Sequence, residues 1–286
     1  MSARARRAVA VAGSSGPLAA ELVRRLHTER RLDVVPLPRR PDAAPWAAPQ
    51  ADPALVSAMA GCRSLVYLAG RGTAGSATGP APHREVAVLV ESAIEAGVEH
   101  LVVGSCIVAY SPARRGLHVL GGRGVDEDWP ADGVPGSPHS AERVAVERAA
   151  VQRCAAARRP LTLLRTGLMV ADVRQARRLG VPARLWPGSD REVSRPRPSV
   201  QAISFADAAT AFEAALLRRV DGAFNVVEEA PVPLHLTGAA LQPGWMDAAT
   251  RVPLMRAQRI RSVLRWRPRR STAAGSGGAA LVGAEQ

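Results

Sequence analysis

The sequence contains no lysine. Its 38 basic residues are therefore all arginine, set against 25 acids for a formal net charge of +13 over 286 residues. So complete an absence, beside abundant Ala, Arg, Gly and Pro, is a bias of the whole chain, which makes the arginine excess weak evidence for a polyanionic partner. Aromatics are scarce as well, at 3%, and the basic residues are scattered. Base-stacking platforms and clustered basic patches are thus missing, and no nucleic-acid partner is expected. Anionic small molecules remain compatible with the charge. Cysteine is limited to Cys62, Cys106 and Cys154, an odd number at irregular spacing that fits neither a disulfide framework nor a zinc site and favours a reducing compartment. His83, His100, His118 and His235 show no metal-ligand spacing with each other or with the cysteines, so no metal is expected. Long apolar runs are also lacking. The one near the N-terminus spans only Ala8 to Ala12, too short for a signal peptide. No other stretch approaches the roughly 18 uninterrupted apolar residues of a membrane span. The expected location is the cytoplasm, with no membrane association.

What is present is a 47% hydrophobic chain long enough to bury a large core. Short apolar runs alternate with longer helical patterns from residue 8 to about 227, which predicts an α/β fold with a parallel sheet and crossover helices. Strands are expected at Ala8 to Ala12, Asp33 to Leu37, Ser64 to Leu68, His100 to Gly104, Leu161 to Arg165 and Ala223 to Val227. Helices are expected at Pro17 to Leu26, Glu85 to Ala96, Ala141 to Ala157 and Asp207 to Arg218, the last with Asp207 as its cap. Two Gly- and Pro-rich stretches, Gly70 to Pro82 and Gly116 to Pro138, follow strands and are candidate site loops. The organisation expected is a doubly wound, Rossmann-type domain over 1–168, its sheet completed by about 200–227. A smaller C-terminal substrate lobe would come from 169–199 and 228–271, with a disordered, Gly- and Ala-rich tail over 272–286.

The run Val9-Ala10-Val11-Ala12-Gly13-Ser14-Ser15-Gly16-Pro17-Leu18-Ala19 places a strand, a glycine turn and an amphipathic helix in that order. That is a phosphate-binding context. Gly13 can take a backbone angle closed to other residues, Gly16 lets the chain approach a pyrophosphate, and Ala19 permits close packing of helix on strand. Free amides at the helix start would face the anion. A tight turn with no ligand has the same local sequence. The second strand runs into Val35-Pro36-Leu37-Pro38-Arg39-Arg40, where an acid for the ribose hydroxyls of NAD is absent. Arg39 or Arg40 suits a 2′-phosphate instead, favouring NADP over NAD.

Several segments in order resemble the NAD-dependent epimerase/dehydratase family, the extended short-chain dehydrogenases. Leu65-Val66-Tyr67-Leu68-Ala69-Gly70 resembles the family's strand ending in a small-residue pair beside the cofactor. Ala96-Gly97-Val98-Glu99-His100-Leu101-Val102-Val103 resembles its helix-to-strand joint. Ser105-Cys106-Ile107-Val108-Ala109-Tyr110 is similar to its Ser-Ser-x-x-Val-Tyr segment, Leu164-Arg165-Thr166-Gly167 to its Leu-Arg-Pro-Gly turn, and Leu264-Arg265-Trp266-Arg267-Pro268 to its Leu-Gly-Trp-x-Pro signature. The resemblance implies cofactor contacts at Gly13, Ser14, Ser15, Gly16, Leu18, Ala69, Gly70, Arg143 and Thr166. It further implies a small-molecule substrate such as a nucleotide sugar or ketone, and a homodimer formed through the helices at Glu85 and Ala141.

The family moves a proton with a Ser or Thr and a Tyr-x-x-x-Lys pair while the nicotinamide moves a hydride. Here Gly136-Ser137-Pro138-His139-Ser140-Ala141-Glu142-Arg143 falls where the family has Ser-Pro-Tyr-x-x-x-Lys. His139 stands for the tyrosine and Arg143 for the lysine, and Cys106, preceded by Ser105, occupies the serine position. A chain without lysine has no Tyr-x-x-x-Lys pair in any register. Two readings follow. In one, His139 moves the proton near neutral pH while Arg143 keeps a fixed charge on the ribose, and the neighbouring arginine favours neutral imidazole, which suits a base. Against it stands the plain alternative that His139 and Arg143 lie exposed on a helix and Cys106 is a small buried filler. In the other, the chain binds the dinucleotide without turnover, as a sensor or interaction protein. Asp126, Glu127 and Asp128 read as a solvated turn. The arginines from Arg256 to Arg270 read as a solvated basic face. Trp186, Trp245 and Trp266 read as core.

Overall fold

Strands buried on both faces need apolar side chains at nearly every position, and the short Val-, Leu- and Ala-rich runs of this chain supply them. The computed structural model describes residues 8–13, 16–30, 32–37, 50–68, 82–112, 124–170, 199–229, 232–233 and 248–268. Strands β1 (Ala8–Ala12), β2 (Asp33–Pro36), β3 (Cys62–Tyr67), β4 (His100–Cys106) and β5 (Leu161–Thr166) are followed by β6 (Leu168–Val170), β7 (Ser199–Val200), β8 (Ala202–Ser204), β9 (Gly222–Val226) and β10 (Val232–Pro233). Helices are α1 (Pro17–Thr28), α2 (Pro53–Met59), α3 (Pro82–Glu95), α4 (Pro138–Ala156), α5 (Phe205–Arg218) and α6 (Gln258–Val263). Six strands form one sheet in the order β2-β1-β3-β4-β5-β9, parallel at every pairing. The α/β, doubly wound architecture read from the alternation is the one observed.

Alternate side chains feed two cores. Val9, Val11, Val66 and Val102 join α1, α5 and the C-terminal segment on one face. Ala10, Ala12, Leu65, Tyr67, Leu101 and Val103 join α2, α3 and α4 on the other. The strand order reverses between β1 and β3, so a crevice opens at their carboxyl ends, the place where folds of this kind bind ligands.

Helix starts follow their caps. Ser204, not Asp207, caps α5, which begins two residues earlier than expected. Its Oγ accepts from the Asp207 amide at 3.0 Å and donates to Asp207 Oδ2 at 2.8 Å, which satisfies an otherwise orphaned N–H. Helix α2 gives no signal in the sequence, because seven residues carry too little periodicity. It starts where Asp52 accepts from the Ala54 amide at 2.9 Å, ahead of Pro53 at the first helical position.

Beside the large sheet, β6 pairs with β8 and β7 with β10. Val125 bridges Met255, tying residues ahead of α4 to the C-terminal segment. Trp266 is buried as expected, its indole N–H donating to Thr210 Oγ1 at 2.8 Å. Trp186, Trp245 and the tail 272–286 lie outside the described residues. Among the described residues no helix is long and apolar enough to cross a membrane and no metal-binding cluster occurs.

Candidate functional site

At the exit of β1, Gly13 has φ +79, and a Cβ there would sit 2.4 Å from the Leu68 carbonyl oxygen at the exit of β3. Only glycine satisfies both the angle and that approach, which the Leu68 amide to Ala12 oxygen bond of 3.0 Å draws tight. Gly16, at φ +108, precedes α1 and has nothing within 4 Å of a Cβ position. It opens the turn outward. The first turn of α1 has no side-chain cap and no acid, and Pro17 has no N–H, so the Leu18 and Ala19 amides stand at the positive end of the helix dipole. A diphosphate would fit this turn. Leu18 is half-buried and Ala19 packs fully inside. Ser14, Ser15, Arg39, Arg40, Ala69 and Gly70, expected to complete the cofactor contacts, lie outside the described residues.

The proton-transfer candidates come from β4, β5 and α4. Strand β4 runs two residues further than expected and carries Ser105 and Cys106 into register with Arg165 and Thr166 of β5. Ser105 Oγ is buried with no hydrogen-bond partner among the described residues. Cys106 is half-buried on the opposite sheet face. The Thr166 hydroxyl is buried and donates to the Ser105 carbonyl at 3.0 Å, locking the two strand ends together. Helix α4 is fastened to the exit of β4: Ser137 caps it, and Ser140 Oγ donates to the Val108 carbonyl at 2.6 Å while accepting from the Val134 amide at 2.7 Å. His139 and Arg143 are one turn apart on this anchored end. His139 is half-buried, and burial, with Arg143 second, pulls its pKa below the ordinary histidine value against the raising effect of Glu142. Arg143 is buried and ion-paired with Glu142. The imidazole is therefore biased to its neutral, proton-accepting form near neutral pH.

Neither tyrosine is free to replace the missing one. Tyr67 is buried and hydrogen-bonds Glu85 Oε2 at 3.3 Å, with its pKa driven far up by burial. Tyr110 donates to Asn225 Oδ1 at 2.7 Å, and burial pushes its pKa up to about 12.

Sequence reasoning missed the polar framework behind these groups. Arg165 forms a two-pronged pair with Glu147, Nε to Oε1 at 3.0 Å and Nη2 to Oε2 at 2.7 Å, and its guanidinium lies 4.5 Å over the Tyr110 ring. Asn225, the chain's single asparagine, joins Tyr110 to the Arg256 carbonyl and gives its own amide to Glu127 Oε1 at 2.7 Å. Of the acids 126–128 expected in a solvated turn, the side chains of Asp126 and Asp128 are exposed but that of Glu127 is not. The Glu127 side chain is 0% exposed, and burial raises its pKa. In the described part of the last segment Arg256 pairs with Asp126, Arg259 with Glu127 and Asp128, and Arg261 with Glu229, while Arg265 and Arg267 are exposed as a solvated basic face requires. The available signals were the lone asparagine and Glu147 recurring one helical turn after Arg143.

No protein-family model matches the sequence, and no curated protein matches it either. Solved structures do. UDP-glucose 4-epimerase from Thermus thermophilus, in complex with NAD, superposes with TM-score 0.66 at 17% identity, over 92% of this chain and 94% of that one. A UDP-glucose 4-epimerase from Stenotrophomonas maltophila, with bound NAD and formylated UDP-arabinopyranose, gives 0.66 at 15% identity over 93% and 95%. A short-chain dehydrogenase/reductase superfamily protein from Agrobacterium tumefaciens with bound NAD gives 0.63 at 18% identity, over 93% of each chain. The chain thus has the Rossmann-type fold of the extended short-chain dehydrogenases of the epimerase/dehydratase type.

Proposed function

We propose that this protein binds a nicotinamide dinucleotide across the carboxyl edge of its sheet and acts on a small molecule, a nucleotide sugar or ketone, through altered proton-transfer residues. The observation that carries the reading is the β1 exit, a turn only glycine can make, closed on the β3 side, open on the other and followed by an uncapped helix start. The glycine turn from Gly13 to Leu18 would hold the diphosphate and Arg143 the nicotinamide ribose. With the acid after β2 absent and Arg39 and Arg40 in its place, NADP is preferred over NAD. The bound nicotinamide would supply the hydride chemistry. His139, neutral and half-buried, is the base, and Ser105 Oγ and the Cys106 thiol are the weaker hydrogen-bond donors near the same strand exit. The smaller lobe, 169–199 with 228–271, supplies the substrate side, and the three free cysteines suit a cytoplasmic setting. A homodimer through α3 and α4 belongs to the same reading.

Saturable quenching of tryptophan fluorescence by NADPH, tighter than by NADH, is the expected result on titration. Absence of binding by either at millimolar concentration would sink the proposal. A second reading, binding without turnover, is favoured by the engagement of Arg143 with Glu142 and of both tyrosine hydroxyls elsewhere. The two separate on UDP-sugars. Turnover that falls at least tenfold in His139→Phe and in Arg143→Ala supports catalysis, whereas tight nucleotide binding with no turnover supports a sensor.

A further inference from the structure

His139, Arg143 and Glu147 recur at four-residue spacing and share one side of α4. The first two are the proton-transfer candidates, and the third is gripped from the sheet. Arg165 on β5 contacts Glu147 through Nε at 3.0 and 3.2 Å and through Nη2 at 2.7 Å, with the two side chains only 8% and 7% exposed. Its guanidinium lies over the Tyr110 ring, and Tyr110 is fixed in turn by Asn225 on β9. An exposed ion pair would contribute little. A buried, forked one fixes geometry, because the planar donor set fits the carboxylate in a single orientation.

We propose that Arg165 is a positioning residue. Acting through Glu147, it sets the rotation of α4 about its axis and thereby the depth at which His139 and Arg143 enter the site. The hydroxyl bond of Ser140 to the Val108 carbonyl pins the helix start along its length. Apolar packing of Val146, Ala150 and Cys154 limits rotation coarsely, and the Glu147 fork, two turns beyond His139, fixes what remains. This inference deepens the functional reading above but is tested without nucleotide or substrate, so failure of nucleotide binding would leave it standing.

The test is the ring titration of His139 followed by NMR in the full chain. The charged groups that act on this imidazole are Arg143 and Glu142. The double variant Glu147→Leu/Arg165→Leu removes both charges together and fills the space with apolar volume, an exchange that buried ion pairs often tolerate. The expected result is a folded protein in which the His139 pKa rises by at least half a unit toward the ordinary histidine value, as the ring swings outward. A folded double variant whose His139 titrates as in the parent protein would overturn the proposal. Arg165→Lys keeps the charge but loses the fork and the ring contact, and gives an independent reading should the double variant fail to fold. A rise smaller than in the double variant is expected from it, and an unmoved His139 there overturns the proposal as well.

Discussion

His100 sits at the amino end of β4, fully buried, with Nε2 2.9 Å from Thr162 Oγ1, whose own hydrogen bonds to the Val220 carbonyl. Burial lowers its pKa to about 4, with Arg219 lowering it further against the raising effects of Val220 and Asp221. In the unfolded chain the group titrates near 6.5. Between those values the unfolded state binds more protons, so stability is full above pH 6.5 and is lost as pH falls toward 4. The full shift corresponds to about 3 kcal/mol. Urea unfolding at pH 7.5 and 4.5 checks this. His100→Gln, which keeps a polar partner for Thr162 and does not titrate, should remove most of the difference. Equal pH dependence in parent and variant would place the effect elsewhere. At the β1 exit, Gly13→Ala adds both a forbidden angle and a 2.4 Å clash with the Leu68 oxygen, at a cost of about 1–3 kcal/mol for the strain alone. The midpoint in urea should fall, and nucleotide binding should disappear with it.

The sequence made legible those elements whose physics is local. Strands β1, β3, β4 and β5 were readable because a strand buried on both faces must be apolar at almost every position, and helices α1, α3, α4 and α5 because their apolar residues recur at helical spacing. The glycine turn was readable because its requirement is a backbone angle. What was not readable depends on distant partners. Nothing near Glu127 tells that an edge-strand amide lies 98 residues away. Nothing near Glu147 announces Arg165, and Asp207 reads as a cap because its helix start is shared with Ser204. That shared cap carries its own prediction. Ser204→Ala should lose about 1 kcal/mol through the orphaned Asp207 amide, seen as a lower urea midpoint with unchanged slope. A neutral result would mean that Asp207 alone suffices.

At the scale of the whole molecule, the question is what joins the last segment to the sheet. Among the described residues β9 pairs only with β5, so the Asn225 amide on its outer side needs an acceptor. Glu127 supplies it from the segment leading to α4, while Asn225 reaches the Arg256 carbonyl and Gln201 holds both the Met255 amide at 2.6 Å and its carbonyl at 2.8 Å. Around this buried knot the ion pairs of Arg256 with Asp126 and Arg259 with Asp128 are largely exposed and screened by salt. The knot, not the charge pairs, should therefore carry the join. Arg256→Ala is expected to cost no more than about 1 kcal/mol, less at high salt, whereas Arg259 also faces the buried Glu127 carboxylate and belongs with the knot. Glu127→Ala leaves a buried amide unpaired and should cost about 1–3 kcal/mol at any salt. Amide hydrogen exchange locates the damage: loss of protection at Asn225 and Met255, with the β1 and β3 amides still slow, is the expected pattern. Were Arg256→Ala to lose as much protection as Glu127→Ala, the surface pairs would be the true fastening.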